Sequence, residues 1–290
     1  MGIRTKFNLV LLAVFAAGLG VTGWISWGLL QANAKDEVVR NARLMLESAL
    51  AIRGYTVKQV KPHLELQLMR VFLPQSVPAY AATETVNELR KAHPDYSYKE
   101  ATLNPTNPRD RAVDWEADLV RDFRDHADTK ELVGERDTPT GRSLFIARPI
   151  KIVDPACLAC HSVPQAAPAS MIKLYGESNG FGWKWNEIVG AQIVSVPMAL
   201  PIRNAERAFR AFMGSLAAVF VAVFVVLNLM LGMMIVRPIR RMSDTADKVS
   251  TGDFSRAELP AQGKDEISVL AASFNRMRRS LQKAMQMIEP

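Results

Sequence analysis

The sequence predicts an α+β fold in which two transmembrane helices flank an external mixed domain, with a parallel helical bundle after the second span. Three observations carry this. First, Phe7 to Leu30 and Ala211 to Val236 are uncharged runs of 24 and 26 residues. At about 1.5 Å rise per residue each is long enough to cross the roughly 30 Å hydrocarbon core of a bilayer as a tilted helix. Second, Ser143 to Val153 and Ile188 to Val196 are rich in Ile and Val and bounded by Gly and Pro, the composition of strands. Third, beyond Val236 the apolar residues recur in steps of three and four. A wholly soluble protein is excluded, although a hydrophobic content of 49% is ordinary for one.

The formal charge is +7 and the pI near 9.5, and the location of the charge gives it meaning. Between Gln31 and Ala208 there are 23 Lys and Arg against 22 Asp and Glu. The excess lies beside the spans: Arg4 and Lys6 before the first, Arg237, Arg240 and Arg241 after the second. This is the positive-inside pattern. It predicts a cytoplasmic tail at 1–6, spans at 7–30 and 211–236, an external domain at 31–210 and a cytoplasmic domain at 237–290. A charge so distributed does not fit a nucleic-acid partner. Ala32-Asn33-Ala34 has the small-x-small form of a signal-peptidase site, so cleavage stays open. The apolar run is nonetheless longer than the roughly 7–15 residues of a signal-peptide core, which favours an uncleaved anchor.

Within the external domain, Val39, Ala42, Leu46, Ala49, Leu50, Val57 and Val60 form a helical stripe, broken by Arg53 and stopped at Pro62. The stripe is either a dimer seam or a face packed on the rest of the domain. A turn-rich stretch follows, with Pro74, Pro78, His93-Pro94 and Asn104-Pro105-Thr106-Asn107-Pro108. A short helix is expected from about Arg111 to Arg124, then the two strands. Asp114, Glu116 and Asp118 on that helix read as solvated charge and capping.

After the second span Ile239, Met242, Ala246 and Val249 form one seam. Ile267, Leu270, Phe274, Met277, Leu281, Ala284 and Ile288 form another, with Gly252-Asp253 breaking the chain between. Two such helices cannot bury their seams alone, so a homodimeric parallel four-helix bundle is expected. Arg237-Pro238-Ile239 after the span, Gly252 and Leu259 in the connector, and Asp265-Glu266-Ile267 opening the second helix resemble a HAMP linker domain. The resemblance implies that movement of a transmembrane helix is converted into repacking of the bundle.

The chemistry concentrates at Cys157-Leu158-Ala159-Cys160-His161, which holds both cysteines of the chain. Cys-x-x-Cys-His supplies two thiols for thioethers to the vinyl groups of one covalent haem c and an adjacent imidazole, His161, as axial iron ligand. A redox dithiol, a disulfide and a zinc site are the competing readings. A thioredoxin-type dithiol belongs at the start of a helix in a βαβ setting, which the flanking Asp154-Pro155-Ala156 and Ser162-Val163-Pro164 do not suggest. Zinc requires a further distant ligand, and neither alternative accounts for His161.

Around this motif the chain resembles periplasmic PAS-like haem c sensor domains of bacterial receptors. The resemblance rests on Val77-Pro78-Ala79-Tyr80, Leu103-Asn104-Pro105-Thr106-Asn107-Pro108, Asp114-Trp115-Glu116, the haem motif, and Gly180-Phe181-Gly182-Trp183 leading to Gly190-Ala191-Gln192. It implies the bacterial inner membrane, with the central domain periplasmic. Some related domains place a cysteine opposite the histidine, near Leu73 here, and this chain has none left to serve. For the sixth ligand His63, His93, His126 and Met69 are the candidates, with Met45 behind them and an open site as the alternative. Phe181, Trp183 and Trp185 are a haem wall, a core cluster or a membrane-facing patch.

These features lead to a homodimeric membrane receptor, not an enzyme, that passes a redox or small-ligand state through HAMP to a separate cytoplasmic effector of kinase, cyclase or chemotaxis type. The alternative is a membrane-anchored c-type cytochrome that carries electrons, which leaves HAMP unexplained. A haem enzyme needs distal acid–base groups that the sequence does not display.

Overall fold

Helix α1 runs from Ile3 to Tyr55 in the computed structural model, which describes residues 2–139 and 141–288. The chain divides into two compact units, one from Gly28 to Ala208, the other made of the residues up to Trp27 and those from Phe209 onward.

In the first unit the outer part of α1 buries Ala34, Val38, Ala42, Leu46 and Ala49, spaced by four, four, four and three residues. They pack on α3 (Pro78–Arg90) and on one face of a four-stranded antiparallel sheet. The sheet has the order β1 (Ser97–Thr102), β4 (Ile188–Pro197), β3 (Gly141–Lys151), β2 (Leu132–Thr138). Leu144, Ile146, Val194 and Val196 face α1, while Ala147, Ala191 and Ile193 face the opposite layer, where α4 (Asp114–Asp125) contributes Val120 and Phe123. Successive strand side chains alternate faces, so covering both faces explains the nearly continuous burial of β4. Each large side chain so buried contributes about 1.5–3 kcal/mol.

The stripe on α1 is therefore a packing face within this unit. Ion pairs flank it: Lys35–Glu135 at 2.7 Å, Arg43–Glu131 at 2.8 Å and Arg148–Glu47 at 2.6 Å. Being partly solvated, each is worth at most about 1 kcal/mol, and together they favour one register of helix on sheet. Helix α1 gives way at Thr56–Val60 to a π turn and at Lys61–Leu64 to a 3-10 turn around Pro62, followed by the single turn α2 (Glu65–Leu68).

Three expectations need correction. Strands β1 and β2 were not anticipated, because Lys99 and Glu100 in one and Glu135 to Asp137 in the other obscure the apolar alternation. The helix expected from Arg111 begins at Asp114. Glu116 on that helix is buried rather than solvated: it pairs with Lys99 at 2.6 Å and accepts from the Val113 amide at 2.9 Å, capping the helix from inside.

In the second unit the described helices include two long and apolar enough to cross a membrane. Phe15 stacks on Phe220 with centroids 4.6 Å apart, and Trp27 meets Phe209 edge-on at 5.1 Å. Helix α7 (Ala199–Met230) continues through a π turn at Leu231–Val236 into α8 (Arg237–Ser250), and α9 (Glu266–Ile288) follows the connector. The connector is held by a face of α9 distinct from the expected seam. Asn275 exchanges hydrogen bonds with both backbone groups of Leu259, and Arg278 donates to the carbonyls of Phe254 and Arg256. Leu270, Met277 and Leu281 on the seam stay exposed in the single chain. The side chain of Ile288 and the end of the expected 237–290 domain lie outside the described residues.

Candidate functional site

Asp154 opens the short helix α5 (Pro155–His161) by accepting from the Ala156 amide at 2.9 Å, and Pro155 takes the first helical position, where no amide donor is needed. Residues three and four apart share a helix face, so Cys157, Cys160 and His161 emerge together. Both thiols are free and half-buried.

The motif thus does start a helix, contrary to expectation, because the Asp-Pro pair caps it. The surroundings still differ from a redox dithiol. The strands on either side, β3 and β4, are antiparallel neighbours, so no βαβ crossover exists here. Burial raises both thiol pKa values, with Asp154 adding to the effect at Cys157 and Lys61 opposing it at both. An activated dithiol is shifted the other way. Among the described residues no group of three His, Cys, Asp or Glu side chains is placed to hold a metal ion.

His161 is held from behind. Its Nδ1 lies 2.7 Å from the Gly180 carbonyl, and Trp183 stacks on the ring with centroids 4.0 Å apart. A carbonyl can only accept, so Nδ1 carries the proton and the lone pair is left on Nε2. Burial lowers the His161 pKa, with the Gly180 bond opposing, which favours the neutral ring that a metal requires. The carbonyl is itself fixed. Asn104 accepts from the Gly180 amide at 3.1 Å and donates to the Phe181 carbonyl at 3.2 Å. Gly180 has φ +84°, and a Cβ there would overlap the Thr106 side chain, so only glycine fits.

Two thiols and a neutral imidazole on one helical face, with the ring oriented by the Gly180 carbonyl, are the donor set that covalent haem needs. The residues present fit that group. Asn104, Thr106 and Gly180 lie in two of the resembling segments, and no local spacing marks them as partners; their meeting is a tertiary event.

The remaining candidates are dispersed. His63 is exposed in the 3-10 turn after α1, and Met69 is 81% exposed just after α2. His93 is exposed with its ring edge-on to Tyr96, and His126 ends α4 paired with Asp122 at 3.0 Å. Met45 packs against the core, and Leu73 is half-buried. Among the described residues none of these side chains hydrogen-bonds to or stacks on His161. Of the three aromatics only Trp183 reaches the imidazole; Phe181 is half-buried and Trp185 exposed.

Comparison with known proteins adds two family matches. The family described as Tll0287-like matches residues 31–197, and the HAMP domain matches residues 230–283. Among solved structures, the crystal structure of the cyanobacterial haem-protein Tll0287 is similar at 16% identity and a TM-score of 0.44, covering 56% of this chain and 95% of that one. No curated protein matches the chain.

Proposed function

The chain belongs to the Tll0287-like family, and from that premise we propose that it is a membrane receptor whose external domain carries one covalent haem c and signals through HAMP. The observation that supports this most is the shared helical face of Cys157, Cys160 and His161, with His161 Nδ1 committed to Gly180. Cys157 and Cys160 form the thioethers, and His161 offers Nε2 to the iron. When bound, the group supplies a one-electron couple and a coordination site for a small ligand. Burial around His161 and the Trp183 stack keep the ring neutral and immobile, so a change at the iron is passed to fixed protein dipoles.

For the sixth position the candidates are His63, His93, His126 and Met69, with an open site as the alternative. The HAMP domain implies a downstream effector and membrane association. We place the external domain in the periplasm and both termini in the cytoplasm of a bacterial inner membrane. The receptor acts as a homodimer on a downstream effector of kinase, cyclase or chemotaxis type.

Expression with a working cytochrome c maturation system and peroxidase staining of a denaturing gel test the reading. Wild type should stain, C157A and C160A weakly, and C157A/C160A not at all. An unstained wild type overturns it. A phosphatase fusion near Gly180 should be active and one after Pro290 inactive; the reverse overturns the orientation.

A further inference from the structure

The two membrane-length helices meet in an antiparallel register fixed by their side-chain contacts. Trp27 lies against Phe209, Gly23 leaves room for Met213, whose methyl would stand 3.3 Å from a Cβ there, and Phe15 stacks on Phe220. One heptad further along each helix, Asn8 of α1 comes level with Leu227 and Asn228 of α7. The burial follows the same seam. Asn8 is half-buried between exposed Phe7 and Leu9, and Leu227 and Asn228 are half-buried between exposed Val226 and Leu229. Asn8 and Asn228 are also the only side-chain amides in the apolar runs 7–30 and 211–236.

The two amides are chemically complementary. Asn8 Oδ1 is buried and accepts no hydrogen bond. A buried amide oxygen without a donor is costly, so its presence on the seam points to a second arrangement in which a donor arrives. Asn228 Nδ2 carries two hydrogens and donates one to the Phe224 carbonyl at 3.0 Å, back along its own helix, which leaves the second available. Amide hydrogen bonds of this kind hold neighbouring spans together. Asn228 further stands three residues before the π turn Leu231–Val236, through which α7 passes into α8. A π turn inside a helical run marks a place where the hydrogen-bond register can change.

We propose that Asn8 and Asn228 form a latch between the two spans. In one state of the receptor Asn228 Nδ2 donates its second hydrogen to Asn8 Oδ1; in the other, the arrangement of this structure, the bond is open. The inference rests on the receptor reading above and adds the regulation of its output. Closing the bond ties α7 to α1 just ahead of the π turn and holds the hydrogen-bond register there. Opening it frees α7 to turn or slide against α1, which re-registers the start of α8; shifts of about 1–2 Å between packed helices are enough for such a switch. A signal that favours one state then changes how often the latch is closed, and by linkage the latch changes the response to the signal. Both asparagines are positioning residues that touch no ligand.

The test uses the full-length haem-loaded protein in lipid nanodiscs and follows hydrogen exchange of peptides covering residues 229–236 with the haem oxidised and then reduced. In the wild type these amides should exchange several-fold more slowly in one redox state than in the other. N8L and N228L make the spans more apolar and so do not hinder insertion. Each should exchange at the faster rate in both states, and N8L/N228L no faster than either. N8Q, which keeps an amide oxygen, should restore the difference, a rescue that a role in packing alone does not predict. With haem staining intact, three results overturn the latch alone: wild-type exchange equal in the two states, a difference that survives N8L or N228L, or a double variant faster than both singles. Absence of covalent haem in the wild type overturns the functional reading and the inference with it.

Discussion

The carbonyl oxygen of Gly180 lies 2.7 Å from Nδ1 of His161, 19 residues away, and this contact decides which nitrogen of the ring keeps its lone pair. The geometry depends on a backbone that only glycine adopts without strain at φ +84°.

Gly180→Ala should therefore destabilise the external domain by about 1–3 kcal/mol, through the positive φ and the overlap with Thr106 together. The thermal midpoint of the full chain in detergent, followed by circular dichroism, should fall. An unchanged midpoint would mean that the 180–182 loop relaxes freely and does not anchor the ring.

Glu116 and Asp118 stand two residues apart on α4 and should behave differently. Glu116→Ala leaves the Lys99 ammonium only the Arg111 carbonyl and removes the cap on the Val113 amide, a loss of about 2–3 kcal/mol for a pair buried mainly on the carboxylate side. Asp118→Ala only removes an exposed pair with Arg121 and should cost no more than about 0.5 kcal/mol. Urea titration of both variants distinguishes them; equal midpoints would contradict the burial of Glu116.

Asp110 predicts a pH dependence. Burial raises its pKa from 3.8 to about 6, with Arg109 opposing and Glu100 and Glu84 reinforcing. The folded state thus holds a proton that the unfolded state has released, and this contribution to stability is complete below 3.8 and lost as pH rises through about 6. Asp110→Asn should remove that part of the dependence and be more stable than wild type at pH 7, with the gap closing near pH 4. Parallel stability curves for the two proteins across this range would refute the assignment.

In the cytoplasmic helices, Leu270 and Leu281 are 53% and 45% exposed in the single chain, on the seam that a second copy would cover. Cysteines placed at either position should crosslink between copies. Phe274→Asp should abolish the crosslink, since a pair of desolvated like charges costs several kcal/mol, while leaving the haem spectrum intact. Wild-type seams that do not crosslink would remove the homodimer from the functional reading.

What the residues determine by themselves is whatever depends on spacing along the chain. The two apolar runs, the strands β3 and β4, the 3-4 seams of the cytoplasmic helices and the adjacency of Cys157, Cys160 and His161 are all readable because periodicity and local spacing produce them. The stripe on α1 was readable as a stripe, but its partner was not; the fold supplies Leu144, Ile146, Val194 and Val196. Charged residues are the least legible. By sequence Arg53 breaks an apolar stripe, Glu100 obscures a strand and Glu116 reads as solvated, yet their partners lie 47 residues away for the Arg53–Glu100 pair and 17 for Lys99–Glu116. The clamp of Asn104 on the Gly180 and Phe181 peptides spans 76 and 77 residues. An apolar residue announces its burial by its own chemistry, whereas a polar one is buried only if the fold delivers a partner, and the tertiary structure alone decides whether that partner arrives.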